Sequence, residues 1–410
     1  MKETSIEEKD KKPWVDSVPG HRKVGNFVEK IQLIATAAFG LEAIVAREVK
    51  ALGYEKVTVE NGRVIFEADP LGIVRANLWL RSADRVLLKI GSFKATTFDE
   101  LFEKTKALDW SQWIPKDGEF PVTGKSINSK LFSVPDCQAI VKKAVVESLK
   151  KDYKLSWFEE KQGMYKIEVA LLKDEATLTI DTSGPGLHKR GYRSLTSPAP
   201  IKETLAAAII QLSFWDHDRA LIDPMCGSGT ILIEAGLIGK NIAPGIYRNF
   251  AAEEWTTLEK ALWNQGRREA HDLEKKDRKL RIQGSDVDEE ALSLARHHID
   301  EAFLEEDIHV QKRDVGEISS RFEYGCIITN PPYGERLSHK AEVERLYKKM
   351  GRTFENFSSW SKYIITSKED FEKHYGKKAD KKRKLYNGRI KTDLYQYFGP
   401  RPPRREDRAK

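Results

Sequence analysis

The chain has 410 residues, of which 40% are hydrophobic and 32% charged, and its formal net charge is +7. This composition is ordinary for a water-soluble globular protein of two or three domains, and no stretch approaches the roughly 18 apolar residues of a membrane span. Cys137, Cys226 and Cys326 are far apart and have no nearby histidine pairs. We therefore expect a cytoplasmic protein without disulfides and without a zinc or iron–sulfur site.

The N-terminal part of the chain begins with a polar segment, residues 1–27, that lacks the apolar core of a secretion signal and is expected to be a flexible extension. Residues 28–72 then follow a strand–helix–strand–strand pattern. Ile31–Ile34 alternates as a strand does, and Asn61-Gly62 between two short β-branched runs is a strong signal for a β-hairpin turn. The pattern is typical of part of a ferredoxin-like unit.

Residues 73–184 continue as a mixed α/β unit. Helical spacing of apolar residues predicts helices at Ile73–Leu80 and Asp136–Leu149. Strands are predicted at Arg85–Ile90, Gly118–Val122, Lys166–Leu172 and Ala176–Asp181. A Gly- and Pro-rich break at 182–186 then indicates a domain boundary, followed by a linker over residues 185–203.

Residues 204–400 alternate strands and helices, as a parallel doubly wound sheet requires. The predicted strands are Ala220–Asp223, Arg281–Asp286, His309–Asp314, Cys326–Thr329 and Tyr363–Ser367. Residues 241–279 are expected to be a helical insertion. Two runs on either side of Asn387-Gly388 predict an antiparallel hairpin after the parallel strands.

A glycine turn follows the first of these strands, where Asp223 is followed by Gly227, Gly229 and a helix. Glycines let the backbone approach a ligand, and the helix N-terminus offers free N–H groups. The Lys-Ser/Thr pair of a phosphate-binding P-loop is missing, and the pattern is not a clean G-x-G-x-x-G. Because the Asp223 carboxylate would repel a pyrophosphate, we expect it to face an ammonium group instead.

Two further carboxylates end the next two strands. Asp286 is at the position that usually meets ribose hydroxyls in such sheets, and Asp314 is placed to meet an adenine amino group. A ligand with an ammonium, a ribose and an adenine, but without phosphate, is S-adenosylmethionine. Each acid alone could equally be a solvated strand-end residue, so the prediction depends on their combination with the glycine turn.

The sequence Asn330-Pro331-Pro332-Tyr333 follows the fourth strand, where it should open into a loop. Each proline fixes its φ and lacks an N–H, so the carbonyls here are stiffly held. The Asn330 side-chain oxygen and the Pro331 carbonyl are expected to converge as acceptors, with Tyr333 as a stacking face. This set suits a planar group with an exocyclic amine, either a nucleobase or an amide. The alternative is a simple strand-ending turn.

The C-terminal segment from Glu372 to Lys410 is strongly basic, with 14 Lys or Arg against 5 Asp or Glu. Four tyrosines accompany these charges, and the segment could contact phosphates and stack on bases, or be a solvated tail. The tyrosines are Tyr375, Tyr386, Tyr395 and Tyr397.

These motifs in this order resemble the THUMP-containing class I RNA methyltransferases, and most nearly the RlmL-like bacterial enzymes that form N2-methylguanosine in 23S rRNA. The resemblance covers about Lys30 to Pro400 and includes the segments Leu187–Arg193, Ala199–Ala208, Asp223–Ala235 and Leu385–Gly388. It implies an α+β ferredoxin-like part (28–72) and a THUMP domain (73–184), then a Rossmann-like methyltransferase domain (204–400) and a basic tail (401–410).

The resemblance also implies roles for individual residues. Asp223, Gly227, Gly229, Asp286 and Asp314 are expected to bind S-adenosylmethionine. Asn330, Pro331 and Tyr333 are expected to act as a catalytic clamp on the target base, with Pro332 beside the substrate. Arg190 and Arg193 in the linker could hold an RNA phosphate, or could serve packing.

The main hypothesis is therefore methylation of guanine N2 in rRNA. Alternatives with the same chemistry are guanosine N2 in tRNA, adenine N6, or a protein glutamine amide. A different class is an RNA-binding ribosome-assembly factor that uses the cofactor fold without turnover, for which a degraded glycine turn or N-P-P-Y would be the sign. Both motifs are intact in this chain.

Overall fold

A computed structural model describes residues 30–193, 195, 201–333 and 340–403 of the chain. These residues form two seven-stranded sheets and one two-stranded sheet. The predicted extension 1–27, the Ser/Pro part of the linker at 196–200 and tail residues 404–410 lie outside the described residues.

The N-terminal sheet has the strand order β2-β3-β1-β4-β9-β8-β6. The strands of this half are β1 Ile31–Ala37, β2 Val57–Glu60, β3 Arg63–Ala68, β4 Ala83–Lys94, β5 Gly118–Glu119, β6 Val122–Ile127, β7 Gln162–Met164, β8 Ile167–Leu172 and β9 Glu175–Asp181. Strands β5 and β7 form the separate two-stranded sheet. The twelve-residue strand β4 pairs with β1 on one side and with β9 on the other. The ferredoxin-like part and the segment after it therefore share one continuous sheet.

Four helices of this half pack against that sheet or against each other: α1 Glu42–Ala51, α2 Pro70–Trp79, α3 Phe98–Lys106 and α4 Val134–Tyr153. Local sequence explains where they begin. Asp69 caps α2 by accepting a bond from Gly72 N at 2.9 Å, with Pro70 at the first helical position. Thr97 caps α3 in the same way. The sequence patterns above do not predict α3.

The predicted strand Gly118–Val122 is wrong. The chain forms two separate strands there, β5 and β6, which belong to different sheets. Pro121 lies between them, and because it has no N–H it interrupts the ladder.

The C-terminal sheet has the order β12-β11-β10-β13-β14-β16-β15. Its strands are β10 Leu221–Asp223, β11 Ile282–Asp286, β12 Ile308–Lys312, β13 Cys326–Thr329, β14 Ser361–Thr366, β15 Lys381–Asn387 and β16 Ile390–Tyr397. Strands β10 to β14 are parallel, and β16 runs antiparallel to both β14 and β15. The predicted doubly wound sheet with an appended hairpin is confirmed.

The helices of the C-terminal half are α5 Glu203–Leu212, α6 Thr230–Gly239, α7 Lys260–Asp272, α8 Glu289–Glu301, α9 Lys340–Glu355 and α10 Phe371–Tyr375. Of these, α7 packs against α2 of the N-terminal half. Every residue of α6 is buried, so this helix lies in the centre of the molecule. No helix among the described residues is long and apolar enough to cross a membrane.

The two halves are joined by buried polar contacts. The Glu48 carboxylate accepts hydrogen bonds from the N–H groups of Arg81 and Ser82, both at 3.1 Å, and from the side chain of Gln211 in α5. The insertion contributes a second contact, because Trp255 stacks on Tyr165 with ring centroids 5.0 Å apart. The insertion thus packs on the N-terminal half.

Three of the four C-terminal tyrosines are core residues, which corrects the prediction that they stack on bases. Tyr375, Tyr395 and Tyr397 are 7%, 0% and 3% exposed, and the rings of Tyr375 and Tyr397 lie 4.8 Å apart. Their large apolar faces fill the space between α10 and β16. Only Tyr386 keeps a partly exposed ring.

Candidate active site

A cleft of about 720 Å³ opens at the carboxyl ends of the parallel strands. Strand order reverses at β10, which lies between β11 and β13, and ligands of open α/β sheets bind at such a switch point. The loops after β10, β11, β12 and β13 each contribute to the walls, through Pro224, Met225, Gly227, Asp286, Val287, Asp314, Val315, Asn330, Pro331, Pro332 and Tyr333.

The two glycines of the turn after β10 have different surroundings. Gly227 has a φ of +51°, and a Cβ built on it would meet no atom within 4 Å, so its backbone borders open space in the cleft. Gly229 has a φ of +83° and caps α6. A Cβ on Gly229 would lie 3.3 Å from that of Ala295, so this glycine allows α6 and α8 to pack closely. Gly227 borders the cleft, whereas Gly229 shapes the turn.

Asp223 lies beneath the cleft rather than in its wall. The side chain is 2% exposed, and its Oδ1 accepts hydrogen bonds from the Thr329 hydroxyl at 2.7 Å and from Met225 N at 3.2 Å. Burial raises the pKa of the Asp223 carboxyl to about 7, against the opposite effect of these two hydrogen bonds. A cation placed next to this group would favour its ionised form.

Asp286 borders the cleft and is held in a fixed orientation. Its Oδ2 accepts a hydrogen bond from Gly227 N at 2.9 Å, and its Oδ1 accepts one from Asp288 N at 3.1 Å. The loop after β11 is therefore tied to the glycine turn. Asp288 itself caps α8.

Asp314 borders the cleft as well, but it already has a cationic partner. The Lys349 ammonium in α9 lies 3.0 Å from both carboxylate oxygens, and Gly316 N donates to Oδ1 at 2.7 Å. Partial burial acts to raise the pKa of Asp314, but the bond from Gly316 and the Lys349 ion pair hold it below its ordinary value. The predicted contact with an adenine amine would share this carboxylate with Lys349.

The four residues after β13 all border the cleft. Pro331 is buried, whereas Asn330 and Tyr333 are half-buried. The Tyr333 hydroxyl donates a hydrogen bond to Oδ1 of Asn330, the atom predicted to accept the target amine. The structure therefore gives Tyr333 a polar contact in addition to its predicted stacking role. Residues 334–339, which follow Tyr333 in the sequence, lie outside the described residues.

A buried tyrosine supports this loop from below. The Tyr347 hydroxyl in α9 lies 3.0 Å from the Pro332 carbonyl, to which it donates, and 2.9 Å from the hydroxyl of Thr366. Tyr347 is fully buried. Because this bond fixes the second proline, the preceding carbonyl of Pro331 is held as well.

Of the two roles left open for the linker arginines, phosphate binding or packing, their surroundings favour packing. The Arg190 side chain is only 3% exposed and pairs with Glu234, and it also donates to the carbonyls of Leu187 and Arg81. Arg193 pairs with Glu203 at 2.9 Å and has a side-chain exposure of 15%. Both guanidinium groups pair with buried carboxylates of the C-terminal half, Glu234 in α6 and Glu203 in α5, which favours packing over phosphate binding.

Other groups at the cleft were not identified as site residues from the sequence. Lys202 and the hairpin turn Asn387-Gly388 close one side, and Lys202 N donates to Oδ1 of Asn387 at 3.2 Å. The apolar wall is formed by Met225, Val287, Val315 and Leu346. Val287 and Val315 each follow a strand-end acid directly, a position that could have signalled them.

The residues of the cleft fit a nucleoside joined to an amino acid. Apolar side chains offer faces to a flat ring, and the open backbone at Gly227 leaves room for a ligand. Asp286 is an oriented acceptor for hydroxyls, and buried Asp223 is stabilised as an anion by an ammonium group. S-Adenosylmethionine carries each of these parts.

Comparison with known families supports this picture. A family model described as the RMKL-like methyltransferase domain matches residues 190–396. Models described as the RlmL ferredoxin-like domain and the THUMP domain match residues 32–87 and 95–181.

Individual relatives match over almost their whole length. A Bacillus subtilis protein named "Putative RNA methyltransferase YpsC" is 54% identical over 92% of this chain and 99% of its own. A crystal structure from Listeria monocytogenes, described as "a predicted N6-adenine-specific DNA methylase", is 54% identical with a TM-score of 0.88, covering 91% of this chain and 97% of its own. The structure of SMU.472, "a putative methyltransferase complexed with SAH", is 46% identical with a TM-score of 0.87, covering 91% and 99%.

Proposed function

The chain belongs to the RMKL-like methyltransferase family that also carries RlmL-type ferredoxin-like and THUMP domains, and on that premise we propose that it methylates N2 of a guanosine in 23S rRNA. It is a methyltransferase, and its methyl donor is S-adenosylmethionine. This donor supplies a methyl group on a positively charged sulfur. The choice of RNA, of nucleotide and of atom is the proposal.

The observation that carries the proposal is the position of Asn330 in the same cleft as Gly227 and Asp286. One part of the cleft provides the oriented carboxylate and open backbone that suit the cofactor, and another provides amide and carbonyl acceptors. A nitrogen nucleophile bound to those acceptors lies within the same cavity as the donor. Holding two reactants in this way removes much of the entropic barrier to a displacement.

We assign the target amine to Asn330 and Pro331. Guanine N2 is a poor nucleophile because its lone pair is delocalised into the ring. The Asn330 oxygen and the Pro331 carbonyl would accept its two hydrogens and draw the lone pair out of conjugation, an electrostatic contribution from fixed dipoles. The proton can leave after methyl transfer, when the nitrogen is far more acidic. No catalytic histidine or cysteine is needed for this step.

Tyr333 would contribute in two ways. Its ring is a stacking face for a base drawn out of its helix. Its hydroxyl already donates to Oδ1 of Asn330, which orients the amide with the oxygen towards the aromatic side of the cleft. A carbonyl oxygen has two lone pairs, so Oδ1 can keep this bond while accepting the target amine.

The support for RNA as substrate lies in the THUMP match at residues 95–181 and in the name of the Bacillus relative. The choice of rRNA and guanine N2 rests on the resemblance of the sequence motifs to the RlmL-like enzymes, with which the RlmL-type ferredoxin-like match over residues 32–87 agrees. A second candidate is adenine N6, which the name of the Listeria neighbour favours and which the same four residues could serve.

The proposal is tested with purified protein and S-adenosylmethionine carrying a labelled methyl group, offered separately to 23S rRNA, tRNA and DNA, followed by mass spectrometry of the nucleosides. We expect N2-methylguanosine from 23S rRNA. N6-Methyladenosine as the product would overturn the assignment to guanine, and label confined to tRNA or to DNA would overturn the choice of rRNA.

A further inference from the structure

A second pocket of about 500 Å³ lies beside the catalytic cleft, between the loop that follows β1 and the C-terminal hairpin. Phe39 borders it from the N-terminal half, and Lys384 and Tyr386 border it from β15. None of these residues takes part in the methyl-transfer chemistry described above. The pocket therefore has no assigned function.

The two aromatic rings form a corner. Phe39 is 54% exposed, which is a large fraction for an aromatic residue to leave in solvent. Its centroid lies 6.0 Å from that of Tyr386, and the ring planes are nearly perpendicular at 84°. A flat ligand can lie on one ring while its edge meets the other.

The position of the two rings is also fixed by close contact between the backbones that carry them. Gly40 has a φ of +91°, and a Cβ on it would lie 3.0 Å from the Lys384 carbonyl oxygen. Arg383 in β15 also donates to the Gly40 carbonyl at 3.5 Å. The C-terminal hairpin and the loop after β1 therefore pack directly against each other.

The charges of the pocket suit a phosphodiester chain. Two lysines, Lys202 and Lys384, line it together with one carboxylate, Asp84, so its wall is net positive. The Lys384 ammonium lies 5.6 Å from the centre of the Tyr386 ring, next to the stacking surface. Aromatic faces with adjacent cations are the means by which proteins bind single-stranded nucleic acid.

This pocket adjoins the catalytic cleft. Lys202 and Gly388 line both cavities, so they form the wall between them. A chain that extends from the cleft past the hairpin would therefore reach the pocket. A small metabolite would not need both sites at once, whereas a polynucleotide with its target base in the cleft would extend past it, and its phosphates suit the two lysines of the pocket.

We propose that this pocket holds the base and phosphate of a nucleotide adjacent to the methylated one, with the base on Phe39 and Tyr386 and the phosphate near Lys202 and Lys384. The inference rests on the proposed function and adds to it a single-stranded flank as part of the substrate. It also gives Tyr386 the base-stacking role that the buried tyrosines of the same segment do not have.

The test combines binding, kinetics and cross-linking. Phe39→Ala and Tyr386→Ala should raise KM for 23S rRNA by about 5-fold to 150-fold, the range for loss of one stacked base. They should weaken binding of a fluorescein-labelled octauridylate to a similar degree, while the affinity for S-adenosylhomocysteine stays unchanged. Phe39→Trp and Tyr386→Phe keep the rings and should behave as the wild type. RNA that carries 5-iodouridine should cross-link to Phe39 or Tyr386 on irradiation.

A matched control is Tyr247→Ala, because Tyr247 is 52% exposed, pairs with Phe303 and lines neither cavity. An unchanged KM in both alanine variants, or cross-links confined to other residues, would overturn the pocket assignment alone if the wild type methylates RNA. If the wild type neither binds nor methylates any RNA, the proposed function fails first, and the pocket assignment fails with it.

Discussion

The Asp286 carboxylate and the backbone N–H of Gly227 hold each other in place, with 2.9 Å between Oδ2 and the nitrogen. The bond joins the ends of β11 and β10 at the point where strand order reverses. The acid that is expected to orient the cofactor thus also fixes the turn that makes room for it. Substitution of Asp286 should therefore affect both cofactor binding and the conformation of the glycine turn.

Asp286→Ala should weaken binding of S-adenosylhomocysteine by about tenfold to 100-fold, the value of a hydrogen bond to a charged group. Asp286→Asn keeps an oxygen that can accept from the Gly227 N–H, so its affinity for S-adenosylhomocysteine should fall less. Isothermal titration calorimetry measures both affinities. The control is Asp300→Ala, an exposed acid at the far end of α8. If Asp286→Ala binds as the wild type does, the carboxylate has no role in the cofactor site.

Asn330→Ala should reduce kcat by about 100-fold or more, the usual loss when one preorganised polar group is removed from the reacting centre. The affinity for S-adenosylhomocysteine should stay the same, because Asn330 belongs to the target side of the cleft. Single-turnover methylation of 23S rRNA measures the first value and calorimetry the second. Turnover at the wild-type rate would rule out the clamp.

Tyr333 allows its hydroxyl and its ring to be separated. Tyr333→Phe removes the hydrogen bond to Asn330 and should lower kcat only a few-fold, since one such bond is worth about 0.5 to 1.5 kcal/mol. Tyr333→Ala also removes the stacking face and should raise KM for RNA by about fivefold or more. Equal KM values for the two variants would show that the ring does not contact the base.

Arg190→Ala should lower the free energy of unfolding by about 3 to 5 kcal/mol, because it leaves the Glu234 carboxylate buried without its partner. Denaturant unfolding measures this change. Arg296→Ala breaks an exposed pair with Glu289 and should cost about 1 kcal/mol or less. Folded Arg190→Ala protein should keep the wild-type KM for RNA. A raised KM with unchanged stability would restore the phosphate role that burial argues against.

The affinity for the cofactor should depend on pH through Asp223, whose pKa is raised to about 7 by burial. A bound ammonium needs the ionised carboxylate, so affinity for S-adenosylhomocysteine should rise about tenfold per pH unit below 7 and then level off. The stability of the cofactor-free protein should change with pH in the opposite direction. Its folded state prefers the protonated acid, so stability should fall as pH rises from the ordinary pKa of 3.8 towards 7.

Calorimetry and thermal unfolding from pH 5.5 to 7.5 measure both effects. Asp223→Asn keeps the shape and removes the titration, so it should flatten both profiles. A pH-dependent affinity that survives in this variant would assign the effect to another group.

The sheet edge that carries the site could be predicted from sequence because a polar residue marks the end of each strand there. Asp223, Asp286, Asp314 and Asn330 all follow short apolar runs, and in a parallel sheet such positions meet at one edge. The four strands were therefore predicted close to their observed bounds. The hairpin at Asn387-Gly388 was predicted for the same kind of reason, a local turn preference.

Long-range pairing could not be predicted from local patterns. Arg190 and Arg193 have the composition of a phosphate site, and only the fold shows that Glu234 and Glu203 reach them. Likewise Lys349 lies 35 positions from Asp314 along the chain, and its contact depends on how α9 crosses the sheet. Tyr375, Tyr395 and Tyr397 resembled a binding surface because aromatic residues serve cores and interfaces equally well.

The packing of Trp255 against Tyr165 has a consequence for how a substrate would be chosen. This contact and the Glu48 contacts fasten the two halves of the molecule at well-separated points of the chain. Because the two halves are joined in this way, the distance between their surfaces is fixed. On the proposed function, an RNA that contacts both halves would have to present its target guanosine at a fixed distance from the part held by the N-terminal half. An RNA of the correct sequence whose fold changes this distance should therefore be a poorer substrate.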